Sequence, residues 1–165
     1  MSENEAGEGG RSSARLAAVQ ALYQVALTGQ PPLDVIRDFV QGKIGGVALC
    51  DDAEAETEFP VSLRPVEVTL FKALVKGVTE RMADIDPMIE ASLTSSWSVQ
   101  RLELVVRAIL RAGIFELLEM GATPAKVIIS EYMDVAVAFY AGPEPKMINA
   151  VLDRLAKTLR PHEFS

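Results

Sequence analysis

The chain has 165 residues, a length that suits one domain with a real hydrophobic core. It is 49% apolar but only 6% aromatic, with Ala, Leu and Val supplying most of the apolar side chains, a mixture that favours packed helices over sheet. Sixteen Lys and Arg against 23 Asp and Glu leave a net charge of −7, which excludes a surface that binds nucleic acid over its whole extent; any RNA or DNA contact must use a local basic patch, helped by a basic partner protein. Cys50 is the only cysteine, so no internal disulfide forms, as suits a reducing cytosol. The N-terminus is acidic and lacks the apolar stretch of a signal peptide. No apolar run reaches the ~18 residues of a membrane span; the longest candidate, 102–120, is broken by Glu103, Arg107, Arg111, Glu116 and Glu119. A cytoplasmic chain with no membrane partner is expected.

In chain order, residues 1–10 are polar and Gly-rich and read as a disordered acidic tail carrying Glu3, Glu5 and Glu8. Residues 11–165 read as a single helical domain. Ser12 or Ser13 is placed to cap the first helix, in which Leu16, Val19, Tyr23 and Ala26 or Leu27 recur at helical spacing before Gly29-Gln-Pro-Pro32 stops it. Arg11 and Arg15 stand one turn apart at its start, on one side. Cations there oppose the helix dipole, and the open amides of a helix N-terminus already attract anions, so the pair reads as a phosphate trap. A short helix follows, with Leu33, Ile36 and Phe39 or Val40 on one face. The stretch 42–60, with three glycines and five acids, reads as a solvated loop.

A third helix is predicted from near Leu63 to Pro65, carrying Phe71, Leu74, Val78, Met82 and Ile85. Asp86-Pro87 reads as the cap and first residue of a fourth, with Met88, Ile89 and Leu93 inward, and Ser95-Ser96-Trp97-Ser98 breaks the pattern. The fifth helix has the widest apolar arc, from Leu102 through Val105, Val106, Ile109, Leu110, Ile114 and Leu117 to Leu118, and is expected at the centre; Gly121 is its natural C-cap. A sixth spans 125–140 with Ile128, Tyr132, Val135 and Phe139. The last carries Met147, Val151, Leu152, Leu155 and Leu159 and ends at Pro161. The expectation is an all-α domain of about seven helices.

Catalytic chemistry finds no support. His162 is the only histidine, and with a single Cys no Cys/His zinc site can be built from this chain alone. The run Gly42-Lys-Ile-Gly-Gly46 lacks the spacing of a phosphate loop, and Asp51-Asp52-Ala-Glu-Ala-Glu56 lacks the alternation of a calcium loop. Asp84 and Asp86 suit a helix junction better than acid–base work. No catalytic residue, metal or cofactor is therefore assigned.

Other residues ask for more than packing. Lys146 and Asn149 lie three apart at the start of the last helix, with Asp153 one turn on; the face is either a solvated one or a cation and an amide offered to a base edge. Tyr23 serves either the core or, at the edge of its stripe, a partner. Arg111 and Glu116 interrupt an apolar helix about 140° apart, so each needs its own partner elsewhere.

Four blocks then carry a resemblance. Ala14-Arg-Leu-Ala-Ala-Val-Gln-Ala-Leu-Tyr23 resembles the opening of the NusB family of bacterial transcription antitermination factors, and Ala108-Ile-Leu-Arg-Ala-Gly-Ile-Phe-Glu-Leu-Leu118 looks like its central helix. Pro124-Ala-Lys-Val-Ile-Ile-Ser-Glu131 and Lys146-Met-Ile-Asn-Ala-Val-Leu-Asp153 resemble its closing motifs, in order and in spacing from about residue 11 to 160. The resemblance implies two packed helical sub-bundles. It implies pairing with NusE, a ribosomal-subunit protein, and binding of the pair to boxA RNA of nascent ribosomal RNA transcripts, with other Nus factors and RNA polymerase reached indirectly. It places Arg11, Arg15, Lys146 and Asn149, with Gln20, on the RNA surface and Tyr23 on the NusE side. Two other readings attach to the same resemblance: the NusB-like domain of an RNA cytosine methyltransferase, whose catalytic domain this sequence does not contain, and a protein–protein adaptor without an RNA role.

Overall fold

The computed structural model describes residues 3–42, 65–93 and 98–164, and among these the chain is helical with no strand. Six α-helices follow one another there: α1 (Glu3–Thr28), α2 (Pro32–Val40), α3 (Pro65–Ser92), α4 (Leu104–Glu119), α5 (Ala125–Phe139) and α6 (Glu144–Leu159). Single 3-10 turns lie at Val99–Arg101 and Pro161–Glu163. None of the described helices is long and apolar enough to cross a membrane. The expectations for Cys50, for the acids 51–58 and for Ser95-Ser96-Trp97 fall outside the described residues. The chain divides into two compact units, Met1–Lys76 and Gly77–Ser165.

In the first unit, Ala14, Ala18, Val19 and Leu22 of α1, Val35, Ile36 and Phe39 of α2, and Phe71, Leu74 and Val75 of α3 are buried. Each large apolar side chain removed from water contributes about 1.5–3 kcal/mol. The Phe39 and Phe71 rings stack 5.5 Å apart and tie α2 to α3. At the end of α1, Gly29 takes φ 73°, a left-handed conformation that favours glycine, and its N–H donates to Val25 O at 2.9 Å. Pro31 and Pro32 then start α2, where a missing N–H loses nothing.

In the second unit, α4 is buried almost all round, with Val106, Ile109, Leu110, Ile114 and Leu117 covered. Ile128, Tyr132 and Ala136 of α5, and Ile148, Val151, Leu152 and Leu155 of α6, complete the buried set. The close packing is set by Gly77, where a Cβ would overlap the Phe115 ring. The central place expected for this helix is what the structure shows.

Several boundaries differ from the expectation. α1 begins at Glu3, not at a Ser12 or Ser13 cap, so the stretch taken as a tail is helical from Glu3 on. The predicted third and fourth helices are one, with Pro87 inside it. Asp86 does not cap: both its oxygens accept hydrogen bonds from Arg111, Oδ1 from Nε and Oδ2 from Nη2, each at 2.8 Å. Joining those two helices leaves six α-helices among the described residues, close to the seven or so expected. Gly121 does not take the left-handed conformation; α4 ends at a Met120 cap, and its last carbonyls are met by an arginine side chain instead. Leu33, Val40 and Phe139, expected inward, are exposed.

Candidate nucleic-acid interface

The residues singled out for recognition fall on α1 in the first unit and α6 in the second. Arg11 is exposed. Arg15, one turn on, is only 3% exposed and has a partner within the chain. Because α1 starts at Glu3, both arginines lie well inside the helix, where the backbone N–H groups are already bonded along the ladder. The anion trap expected from open amides beside the arginines therefore does not form at this point, and Arg11 offers its side chain alone. Gln20 and Tyr23 are half-buried. At about 100° per residue, Gln20 sits about 180° round the helix from Arg11 but only about 60° from Tyr23. Helix geometry thus joins Gln20 to Tyr23 and parts it from the arginines.

On α6, Ile148, Val151, Leu152 and Leu155 turn inward and fix the helix. Lys146 and Asn149 are both exposed, so the cation and the amide share an open face one turn long. Glu144 lies in the same first turn, favourably placed at the positive end of the dipole. Asp153 is half-buried and pairs with Lys157 at 3.0 Å. The turn leading into α6 is held by Tyr140, whose Oη donates to Glu103 Oε2 at 2.9 Å. Burial first, then the hydrogen bond and charge of Glu103, push the Tyr140 phenol well above its ordinary pKa, so it stays a donor.

The interrupting charges of α4 are structural. Arg111 makes the forked pair with Asp86, and Glu116, fully buried, accepts a 2.5 Å hydrogen bond from Tyr132 Oη. The residue that spacing did not reveal is Arg160, 4% exposed just past α6. Its Nε donates to Leu117 O at 3.0 Å, a carbonyl that the end of α4 leaves open, and its Nη2 donates to Glu116 O and Met120 O at 3.1 and 2.9 Å, which also accept the Met120 and Thr123 N–H groups. Nη1 reaches Thr123 O and Glu163, and Glu163 in turn accepts from the Ala125 N–H at 2.9 Å, capping the start of α5. No local pattern marks such a role, because the partners are main-chain atoms about forty residues away.

The elements define an all-helical bundle protein that carries an exposed arginine on its first helix and a Lys/Asn pair on its last. The family model of the NusB family matches residues 12–157, and the chain belongs to the NusB family. It is 49% identical to the transcription antitermination protein NusB of Rhodospirillum rubrum over 159 residues, which span 93% of this chain and 86% of the relative. The protein of the same name from Maricaulis maris is 46% identical, with 93% and 90% covered. Among solved structures, T. maritima NusB superposes with a TM-score of 0.69 at 26% identity, covering 93% of this chain and 96% of that one. A chain from the crystal structure of antitermination factors NusB and NusE in complex with dsRNA shares the fold, with a TM-score of 0.71 at 23% identity and coverage of 90% and 97%.

Proposed function

We propose that this chain is a transcription antitermination factor of the cytoplasm that pairs with NusE and holds boxA RNA of nascent ribosomal RNA transcripts. The observation that carries the reading is the family match along residues 12–157, supported by near-half identity to a curated antitermination protein over almost the whole chain. The fold shared with a chain from a NusB, NusE and dsRNA complex is consistent with it. Exposure favours Arg11, Lys146 and Asn149 as direct RNA contacts: the cations for phosphate, the amide for a base edge or sugar. Arg15 acts from beneath the surface, engaged within the fold. Gln20 goes with Tyr23 on the NusE side. Other Nus factors and RNA polymerase are reached through the assembled complex.

A chain of net charge −7 with few open cations at the site holds RNA weakly by itself. The test is a salt-series titration of boxA RNA with and without NusE. Weak binding alone, and tighter binding with a preference for boxA over a scrambled RNA once NusE is present, is the expected result. No boxA preference even with NusE present overturns the reading.

A further inference from the structure

One surface of the first unit lies apart from the residues proposed to meet RNA and NusE. A groove of about 410 Å³ opens between α2 and the first part of α3, with Leu33, Ile36, Val40, Arg37, Lys72 and Lys76 among its lining residues. Leu33, Ile36 and Val40 stand at i, i+3 and i+7 and form one apolar stripe along α2. Ile36 is its floor, but Leu33 is 68% and Val40 40% exposed. The packing face of α2 is a different one: Val35 and Phe39 point inward, and Phe39 stacks on Phe71. The helix therefore has a second apolar face that nothing in the described chain covers.

The walls are cationic. Lys72 and Lys76 stand one turn apart on α3, and Arg37 faces them from α2. No described acidic residue lines the groove. Arg37 leans on the largely open Asp34 at 3.6 Å, a kind of pair that holds little free energy, and loosely on the half-buried Asp38 at 3.9 Å. In a chain of net charge −7 this is a local reversal of sign around an apolar floor.

We infer that the groove docks an acidic amphipathic segment of a partner protein, laying apolar side chains on Leu33 and Val40 and carboxylates against Lys72, Lys76 and Arg37. Charge complementarity selects this occupant. A second copy of the chain would bring the same three cations into the contact and repel. A nucleic-acid backbone would match the cations but set charged phosphate over Leu33 and Val40. A helix or strand with one acidic and one apolar side satisfies both parts of the surface.

The probe is a short designed fluorescent peptide with leucines on one face and glutamates on the other, titrated into the full chain by anisotropy. Saturable binding that weakens with salt is expected. Leu33→Asp and Lys72→Glu should each weaken it about tenfold, and Lys72→Arg should retain it. Both altered side chains are exposed, and a thermal melt checks that the fold persists. Binding of boxA RNA and NusE should be unchanged in all three variants, so failure here is distinct from failure of the RNA reading. The inference is overturned by absence of saturation up to about 1 mM peptide, or by equal binding to Leu33→Asp. It is also overturned if a lysine-bearing version of the peptide binds as well. A concentration-dependent dimer abolished by Leu33→Asp would reassign the groove to a second copy. Loss of boxA affinity in Lys72→Glu alone would reassign it to RNA. Tighter peptide binding after neutralising Asp51, Asp52, Glu54, Glu56 and Glu58 would reassign it to the chain's own segment.

Discussion

Arg160 gathers five acceptor oxygens around one guanidinium: three main-chain carbonyls at the end of α4, that of Thr123, and a carboxylate oxygen of Glu163. Arg160→Met removes the guanidinium donor of the Leu117 and Thr123 carbonyls, while Glu116 O and Met120 O keep their main-chain donors, and should lower stability by about 3 kcal/mol in urea unfolding. Glu163 gives the same corner its pH dependence. The Ala125 N–H, and then Arg160, hold its carboxyl below the ordinary range. A depressed folded pKa means that the stabilisation is fully present above the unfolded value, about 4.3, and is lost as pH falls through the folded value. Glu163→Gln should therefore lower stability near neutral pH and flatten the acid limb of a stability–pH curve, the two proteins converging at low pH. The two arginines of α1 separate by the same kind of measurement. Arg15 is buried and partnered, so Arg15→Gln should cost about 2 kcal/mol, whereas Arg11→Gln at its exposed site should stay within about 0.5 kcal/mol.

Among elements, α3 runs unbroken through Pro87, which lacks the N–H that would close a bond one turn back. Pro87 is exposed, so Pro87→Ala should restore that bond and raise stability by about 1–3 kcal/mol, read as a higher denaturation midpoint. This helix also shows what periodicity can and cannot reveal. The stripe Phe71, Leu74, Val78, Met82 and Ile85 is plain in the sequence, and all but the half-buried Met82 are buried. The break placed at Asp86-Pro87 was a local signal overruled by a distant one: the carboxylate is taken by Arg111, twenty-five residues on. The start of α1 fails in the same way. Ser12, Ser13 and the arginines look like a helix opening, yet the acids and glycines before them are already helical. Of the candidate site, Lys146 and Asn149 were legible because α6 alternates open and buried positions cleanly. The burial of Arg15 was not, since spacing places a residue on a side of a helix without saying what covers that side.

For the whole molecule, charge distribution sets the demands on partners. Residues 1–64 hold five basic and ten acidic side chains, and 65–165 hold eleven and thirteen. Neither part is basic, so the proposed RNA binding rests on a few placed contacts and on a basic companion. With NusE present, Arg11→Ala and Lys146→Ala should each reduce the slope of log K against log salt by about one, the signature of one lost phosphate contact. Asn149→Ala should weaken boxA binding with the slope intact, because an amide releases no counterion.

The corner at Arg160 also sets an order of events in time. Its bonds to the end of α4 span forty to forty-four residues of chain, so they close only after α4, α5 and α6 have met. Contacts that carry so large a loop-closure cost are expected to form late, on the native side of the folding barrier. Arg160→Met should then leave the refolding limb of a chevron nearly unmoved and place its whole effect on the unfolding limb. This one arginine would govern how long the second unit stays folded, not how quickly it gets there.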